Sequence, residues 1–101
     1  MRSCDTTVMG VSDPEGITCD ESASWLYIVG SPTSLVAQAQ PDCTVVATID
    51  VSAANADKPA GLGLAPSTVS PGYQSLWMAA RGRDNNSDPN ENDGRVYEMS
   101  L

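Results

Sequence analysis

Two short apolar runs leave this chain few folds to choose from. Trp25-Leu26-Tyr27-Ile28-Val29-Gly30 and Leu76-Trp77-Met78-Ala79-Ala80 each follow a Gly-containing segment that begins with proline. Runs of this length, rich in β-branched and aromatic residues and bounded by turn formers, are the pattern of strands covered on both faces. The chain therefore reads as two copies of one β unit, each organised around such a strand.

The flanking residues extend the repeat. Asp13-Pro14-Glu15-Gly16-Ile17-Thr18-Cys19-Asp20 is a turn feeding a short strand, and its later counterpart is Lys58-Pro59-Ala60-Gly61-Leu62-Gly63-Leu64-Ala65, with Pro14 and Pro59 separated by 45 positions. A period in that range is the mark of a solenoid or a propeller blade. Glycine within a strand often marks the close approach of another backbone, which the crowded axis of a propeller requires. Ser34 to Gln40 alternates, with Leu35, Ala37 and Ala39 on one face and Val36, Gln38 and Gln40 on the other. Pro41-Asp42 turns the chain, and Thr44 to Val51 alternates again, Val45, Ala47, Ile49 and Val51 against Thr44, Val46, Thr48 and Asp50. Four strands joined by short polar turns make an antiparallel meander, the form of one blade.

The expected architecture is all-β, with antiparallel four-stranded meanders as consecutive β-propeller blades of a partial propeller. Residues 1–12 are expected as the last strand of a preceding blade, because Cys4–Ser12 matches Cys43–Ser52 in ending on Val-Ser. Residues 13–52 make a complete blade, and 58–101 make three strands of a second, in which Tyr97, Met99 and Leu101 share a face. Through Asp13-Pro14-Glu15-Gly16-Ile17, Trp25–Val29 and Arg81-Gly82-Arg83-Asp84-Asn85, the chain resembles the NHL-like and the phytase- or esterase-like bacterial propellers. The resemblance implies a ring of several blades. About 1.75 blades do not close one, so the expected partners are the remaining blades of a larger chain or further copies of this one.

Composition narrows the function classes. Six Leu, three Ile and nine Val make only 18 of 101 residues, and the net charge is −8. That balance alone belongs to disordered chains. The two Trp, three Tyr and clear strand patterns favour a folded chain that is weak on its own. Thirteen carboxylates against five basic residues argue against nucleic acid and anionic membranes. No stretch is long enough to span a membrane, and the first 15 residues carry no signal core, so export to the periplasm or the extracellular space would use a signal outside these residues. Cys4, Cys19 and Cys43 have no CxxC spacing, and the chain has no histidine, which speaks against zinc. They are expected as small packed thiols at equivalent repeat positions, a disulfide being the minority alternative.

Aligning the units isolates one departure. Leu26 to Leu76 is an offset of 50 and Val36 to Val96 one of 60, so ten extra residues fall within Arg81–Gly94. Insertions in repeat proteins map to loops on one face, often the binding face. On that rim Asp13, Glu15 and Asp57 are expected near the insertion. Asp84, Asn86, Asp88, Asn90 and Asn92 place oxygens at alternate positions, and Asp93-Gly94 provides a tight exit. Calcium takes six to eight such oxygens, and these six residues, Asp93 included, are the candidate metal ligands. The loop is no EF-hand: Pro89 stands where the sharp turn wants glycine, and Arg95 stands where the bidentate glutamate belongs. The same residue types also compose any long solvated loop. Arg81 and Arg83 would either pair with the loop carboxylates or hold an anionic group.

Without histidine, the Ser-His-Asp, Cys-His and His-metal mechanisms cannot be assembled from these residues. Asp13 and Glu15 are expected as a strand-entry signal rather than an acid–base pair, and Trp25, Tyr27 and Trp77 as packing between blades. The leading expectation is a non-catalytic binding or scaffold piece of a secreted propeller with a calcium-binding rim loop. Beside it stand a calcium-dependent phytase-like phosphoesterase or esterase, and a two-blade lectin-like protein that completes a ring by self-association. A small anionic or carbohydrate ligand suits the rim in either case.

Overall fold

A computed structural model of the chain describes residues 1–32, 35–82 and 94–101. Its strands are β1 (Asp13–Asp20), β2 (Trp25–Ser31), β3 (Leu35–Ala39), β4 (Val45–Asp50), β5 (Pro59–Pro66), β6 (Gln74–Ala80) and β7 (Arg95–Ser100). They form two antiparallel sheets, a four-stranded meander in the order β1-β2-β3-β4 and a three-stranded one in the order β5-β6-β7. The two apolar runs are thus inner strands of separate sheets; Trp25–Val29 is covered on both faces, whereas Leu76–Ala80 buries the Leu76 and Met78 face and leaves Ala79 exposed on the other. No helix among the described residues is long and apolar enough to cross a membrane.

Strand pairing makes the repeat explicit. Gly16 pairs with Val29 and Val29 with Val36; in the second sheet Gly61 pairs with Ala79 and Ala79 with Val96. The offsets of 45, 50 and 60 between these trios reproduce the spacing read from the sequence. Even the irregularity repeats, a register shift between Pro14 and Gly16 in β1 and between Pro59 and Gly61 in β5. A bulge adds one unpaired residue and re-aims the strand. Its recurrence at the same step shows one local design used twice.

The sheets stack face to face, and opposite faces meet. The face of the first sheet that carries Trp25, Tyr27, Val29, Val36 and Ile49 packs on the face of the second that carries Leu62, Leu64, Leu76, Met78, Tyr97 and Met99. By the repeat offsets these faces are not equivalent. Tyr27 and Val29 correspond to Trp77 and Ala79, on the far side of the second sheet, while Leu76 and Met78 correspond to Leu26 and Ile28. Calling the first type the front and the second the back, the front of sheet one lies on the back of sheet two. Leu76, Met78, Val29 and Val36 are fully enclosed there, and burial of each is worth roughly 1.5–3 kcal/mol.

Strands β1 and β5 nearly touch. A Cβ on Gly16 would lie 2.9 Å from the Gly61 Cα and 3.0 Å from the Ala60 carbonyl oxygen. Gly16 therefore serves the close backbone approach expected of a strand glycine.

The amino-terminal segment differs from expectation. Thr6–Met9 is a 3-10 turn instead of a strand, begun by the Asp5 carboxylate accepting from the Thr7 N–H and ended at Gly10 in the left-handed region, φ 82°. The Asp-Thr-Thr sequence that looked strand-like is a cap, since a short carboxylate satisfies the free N–H groups of a first turn. The matching later segment is the inter-sheet connection. There a 3-10 turn at Ser52–Ala54 ends on Asn55, also left-handed, and Gly10 and Asn55 again differ by 45. Met9 and Val11, buried on Ile28, Ala37 and Ala39, correspond to Ala54 and Ala56 in the core between the sheets.

The cysteines also correct the expectation. Cys4 and Cys43 form a disulfide with a Cα–Cα distance of 6.0 Å, and Cys19 is a free, exposed thiol on the back of sheet one. Cys43 sits in the β3–β4 turn at φ 77° and packs against the cluster that holds Met9 and Val11, so the amino-terminal segment is stapled over that back face. Matching Cys4 to Cys43 as repeat equivalents hid this, because the true offset is 45 and not 39.

Candidate functional site

Two rims bound the stacked sheets. On one, the starts of β1 and β5 and the ends of β2 and β6 converge on a cleft of about 200 Å³ lined by Asp13, Glu15, Gly30, Ser31, Lys58 and Arg81. The bulges position its charges. Glu15 is the unpaired residue between Pro14 and Gly16, so it leaves the ladder at the rim. Lys58 adopts φ 57°, and its carbonyl accepts from the Arg81 N–H at 3.0 Å, while the Asp57 carbonyl accepts from the Gly82 N–H at 2.9 Å. These bonds continue the β5–β6 ladder outward and fix Arg81 beside the carboxylates.

The cleft gathers two anions and two cations in a space for a few water molecules. Asp13 and Glu15 thus lie on the rim expected of them, next to the point where the ten-residue insertion departs. The six candidate ligands Asp84, Asn86, Asp88, Asn90, Asn92 and Asp93 lie outside the described residues. Among the described residues no three Asp, Glu or Cys side chains converge as a metal site.

Of the aromatic residues, Trp25 and Tyr27 pack between the sheets as expected. Trp77 does not. It is half-buried on the front of sheet two, and its Nε1 is enclosed without an acceptor among the described residues. The corresponding Tyr27 has a partner, its hydroxyl accepting from Gln38 Nε2 at 3.3 Å.

The opposite rim carries a site that sequence reasoning missed. A cavity of about 640 Å³ is lined by Asp20, Ser67, Ser70, Tyr73, Ser75 and Glu98, among others. Glu98 organises it: the carboxylate accepts from the Thr68 N–H and the Ser75 hydroxyl, each at 2.8 Å, and from the Thr68 hydroxyl. Ser67 shapes the same loop, its hydroxyl oxygen accepting from the N–H groups of Val69 and Ser70 at 3.2 and 3.0 Å. With its oxygens so engaged, Glu98 pins the β5–β6 loop to β7 and is no free acid or base. Nothing local signals a bond across 30 positions.

Thr68 hydrogen bonds hold the Glu98 carboxyl below its ordinary value. Asp5 and Asp50 are lowered by the side chains of Thr7 and Ser52, and Asp42 chiefly by the Thr44 N–H. A carboxyl lowered in the folded state stabilises fully above its unfolded pKa, and that contribution is lost as pH falls through the folded one. Urea midpoints are therefore expected to fall steadily as pH drops below the ordinary carboxylate range, and less steeply for Glu98→Gln. Parallel pH curves for the two proteins would show that Glu98 holds nothing.

No family model matches the chain, and no curated protein or solved structure matches it.

Proposed function

We propose that the chain is a binding or scaffold module of a secreted β-propeller, its two sheets being blades, with calcium held by the acidic loop on one rim. The observation carrying this reading is the rim cleft. Asp13 and Glu15 open beside Arg81-Gly82, where the insertion begins. Two carboxylates fall short of the six to eight oxygens that calcium takes, and Asp84, Asn86, Asp88, Asn90, Asn92 and Asp93 would supply the others. The front-to-back stack of two meanders with a glycine contact between β1 and β5 supports the blade reading. The Cys4–Cys43 disulfide supports an extracellular or periplasmic setting, where such bonds persist.

Calcium is expected to raise the melting temperature and to protect the 84–93 loop from proteolysis, as any ligand of the folded state alone must. Asp88→Ala should lose most of that response. Superimposable melting curves in calcium and in chelator would overturn the ion.

Lys58 and Arg81 beside the carboxylates favour a second reading, a calcium-dependent phosphoesterase in which the cations and the metal engage a phosphate. Turnover of a phosphomonoester that depends on calcium and on Arg81 would establish it, and no turnover with or without calcium would remove it.

A further inference from the structure

Each half of the interface between the sheets has an unmated copy elsewhere on the chain. The front of sheet one (Gly16, Tyr27, Val29, Val36) is buried on the back of sheet two. Its equivalent on sheet two, formed by Gly61, Trp77, Ala79 and Val96, faces outward, with Ala79 exposed and Val96 66% exposed. The back of sheet two holds Leu62 and Leu64 in the core, whereas their equivalents on the back of sheet one, Ile17 and Cys19, are exposed, Ile17 at 61%.

We infer that the front of sheet two docks on the back of sheet one of a second copy of this chain. The two surfaces are repeat equivalents of surfaces that already fit each other within the molecule. The stapled amino-terminal segment does not obstruct this contact. Thr6–Val11 corresponds to Val51–Ala56, which lies inside the existing interface, and Met9, Val11, Ile28, Ala37 and Ala39 correspond to Ala54, Ala56, Met78, Tyr97 and Met99 of that core. The amino-terminal segment covers Ile28, Ala37 and Ala39 and leaves Ile17 and Cys19 of the same back face exposed.

Gly61 adds an independent sign. A Cβ there meets nothing closer than the Ala79 Cβ at 3.9 Å, so nothing among the described residues forbids a side chain. Its equivalent Gly16 is forced to be glycine by the strand stacked on it. Trp77, whose Nε1 lacks an acceptor among the described residues, lies on the same face. A front meeting a back is a heterologous contact, which leaves one front and one back free for further copies until a ring closes. The inference deepens the blade reading by naming the partner, and it is independent of calcium.

Sedimentation of the full chain from micromolar to millimolar concentration tests it, with Gly61→Val on the front and Ile17→Glu on the back. The wild-type mass is expected to rise with concentration, and each variant alone to stay monomeric while its far-UV spectrum and melting temperature match wild type. Mixed, the two variants are expected to form a species of twice the monomer mass and no larger, through the intact front of one and the intact back of the other. That complementation separates a lost surface from a lost fold. A wild-type chain monomeric at every concentration, variants that associate like wild type, or a mixture of two monomers would each overturn the proposal. None of these results alters the calcium response, so failure of the ion and failure of the docking are told apart.

Discussion

Removing the Cys4–Cys43 disulfide, in a Cys19→Ser background that prevents exchange, is expected to lower the melting temperature by roughly 20 °C. The bond closes a loop with a sequence separation of 39. A crosslink of that span removes enough unfolded-chain entropy to stabilise by about 4 kcal/mol. In a domain of this size each kcal/mol moves the transition by about 4–8 °C. The amino-terminal segment contributes in the same direction. Met9 and Val11 are 4% and 0% exposed, and without the staple their segment is freer to peel from Ile28, Ala37 and Ala39. A Cys4→Ser, Cys43→Ser variant melting within about 5 °C of the parent would mean that the staple adds little to a segment already held by packing.

Gly30→Ala is expected to destabilise by about 3 kcal/mol or more, the upper end of the overpacking range. A Cβ at Gly30 would fall 1.9 Å from the Asp13 carbonyl oxygen and 2.8 Å from the Pro14 Cα, so the β1 backbone would have to move at its bulge. No side-chain rotation relieves a clash with backbone. The matching control is Gly63→Ala, where no described residue lies within 4 Å of the new methyl. That change is expected to stay within about 0.5 kcal/mol, as surface substitutions usually do. Urea denaturation of both variants decides the point, and equal midpoints would contradict it. The second sheet has alanine at the equivalent position, Ala80 facing Pro59, so the two copies of the bulge differ in how closely their strands are drawn together.

The strands were legible because their signal is local. Period-2 alternation in Leu35–Ala39, turn residues at Pro41-Asp42, and proline–glycine starts at Pro14 and Pro59 all act within a few residues. The repeat offsets then carried the assignment from one sheet to the other. What escaped depends on contacts between distant positions. Asp5-Thr6-Thr7 has strand-like composition, and only the carboxylate bond to the Thr7 N–H makes it a cap. Three cysteines do not declare which two meet. The Glu98–Thr68 bond joins residues 30 apart. Trp77 shows the limit of period-2 reasoning: alternation sorts residues into two faces but leaves open which face is mated inside the chain. Of the candidate site, the rim position of Asp13 and Glu15 was legible from the loop order of a meander. Their meeting with Lys58 and Arg81 came from the bulge at Glu15 and from the bonds that extend the β5–β6 ladder, which no residue pattern announced.

Two copies of one sheet lie front to back, with β1 and β5 stacked on each other and not hydrogen-bonded as neighbours. Nuclear Overhauser contacts between Gly16 and Gly61 α-protons test this arrangement most directly. Close Gly16–Gly61 and Gly16–Ala60 contacts are expected, with slow amide exchange in β2 and β6 and no inter-strand hydrogen bonds between β1 and β5. A ladder of α-proton and amide contacts running the length of β1 against β5, as in one continuous seven-stranded sheet, would contradict it.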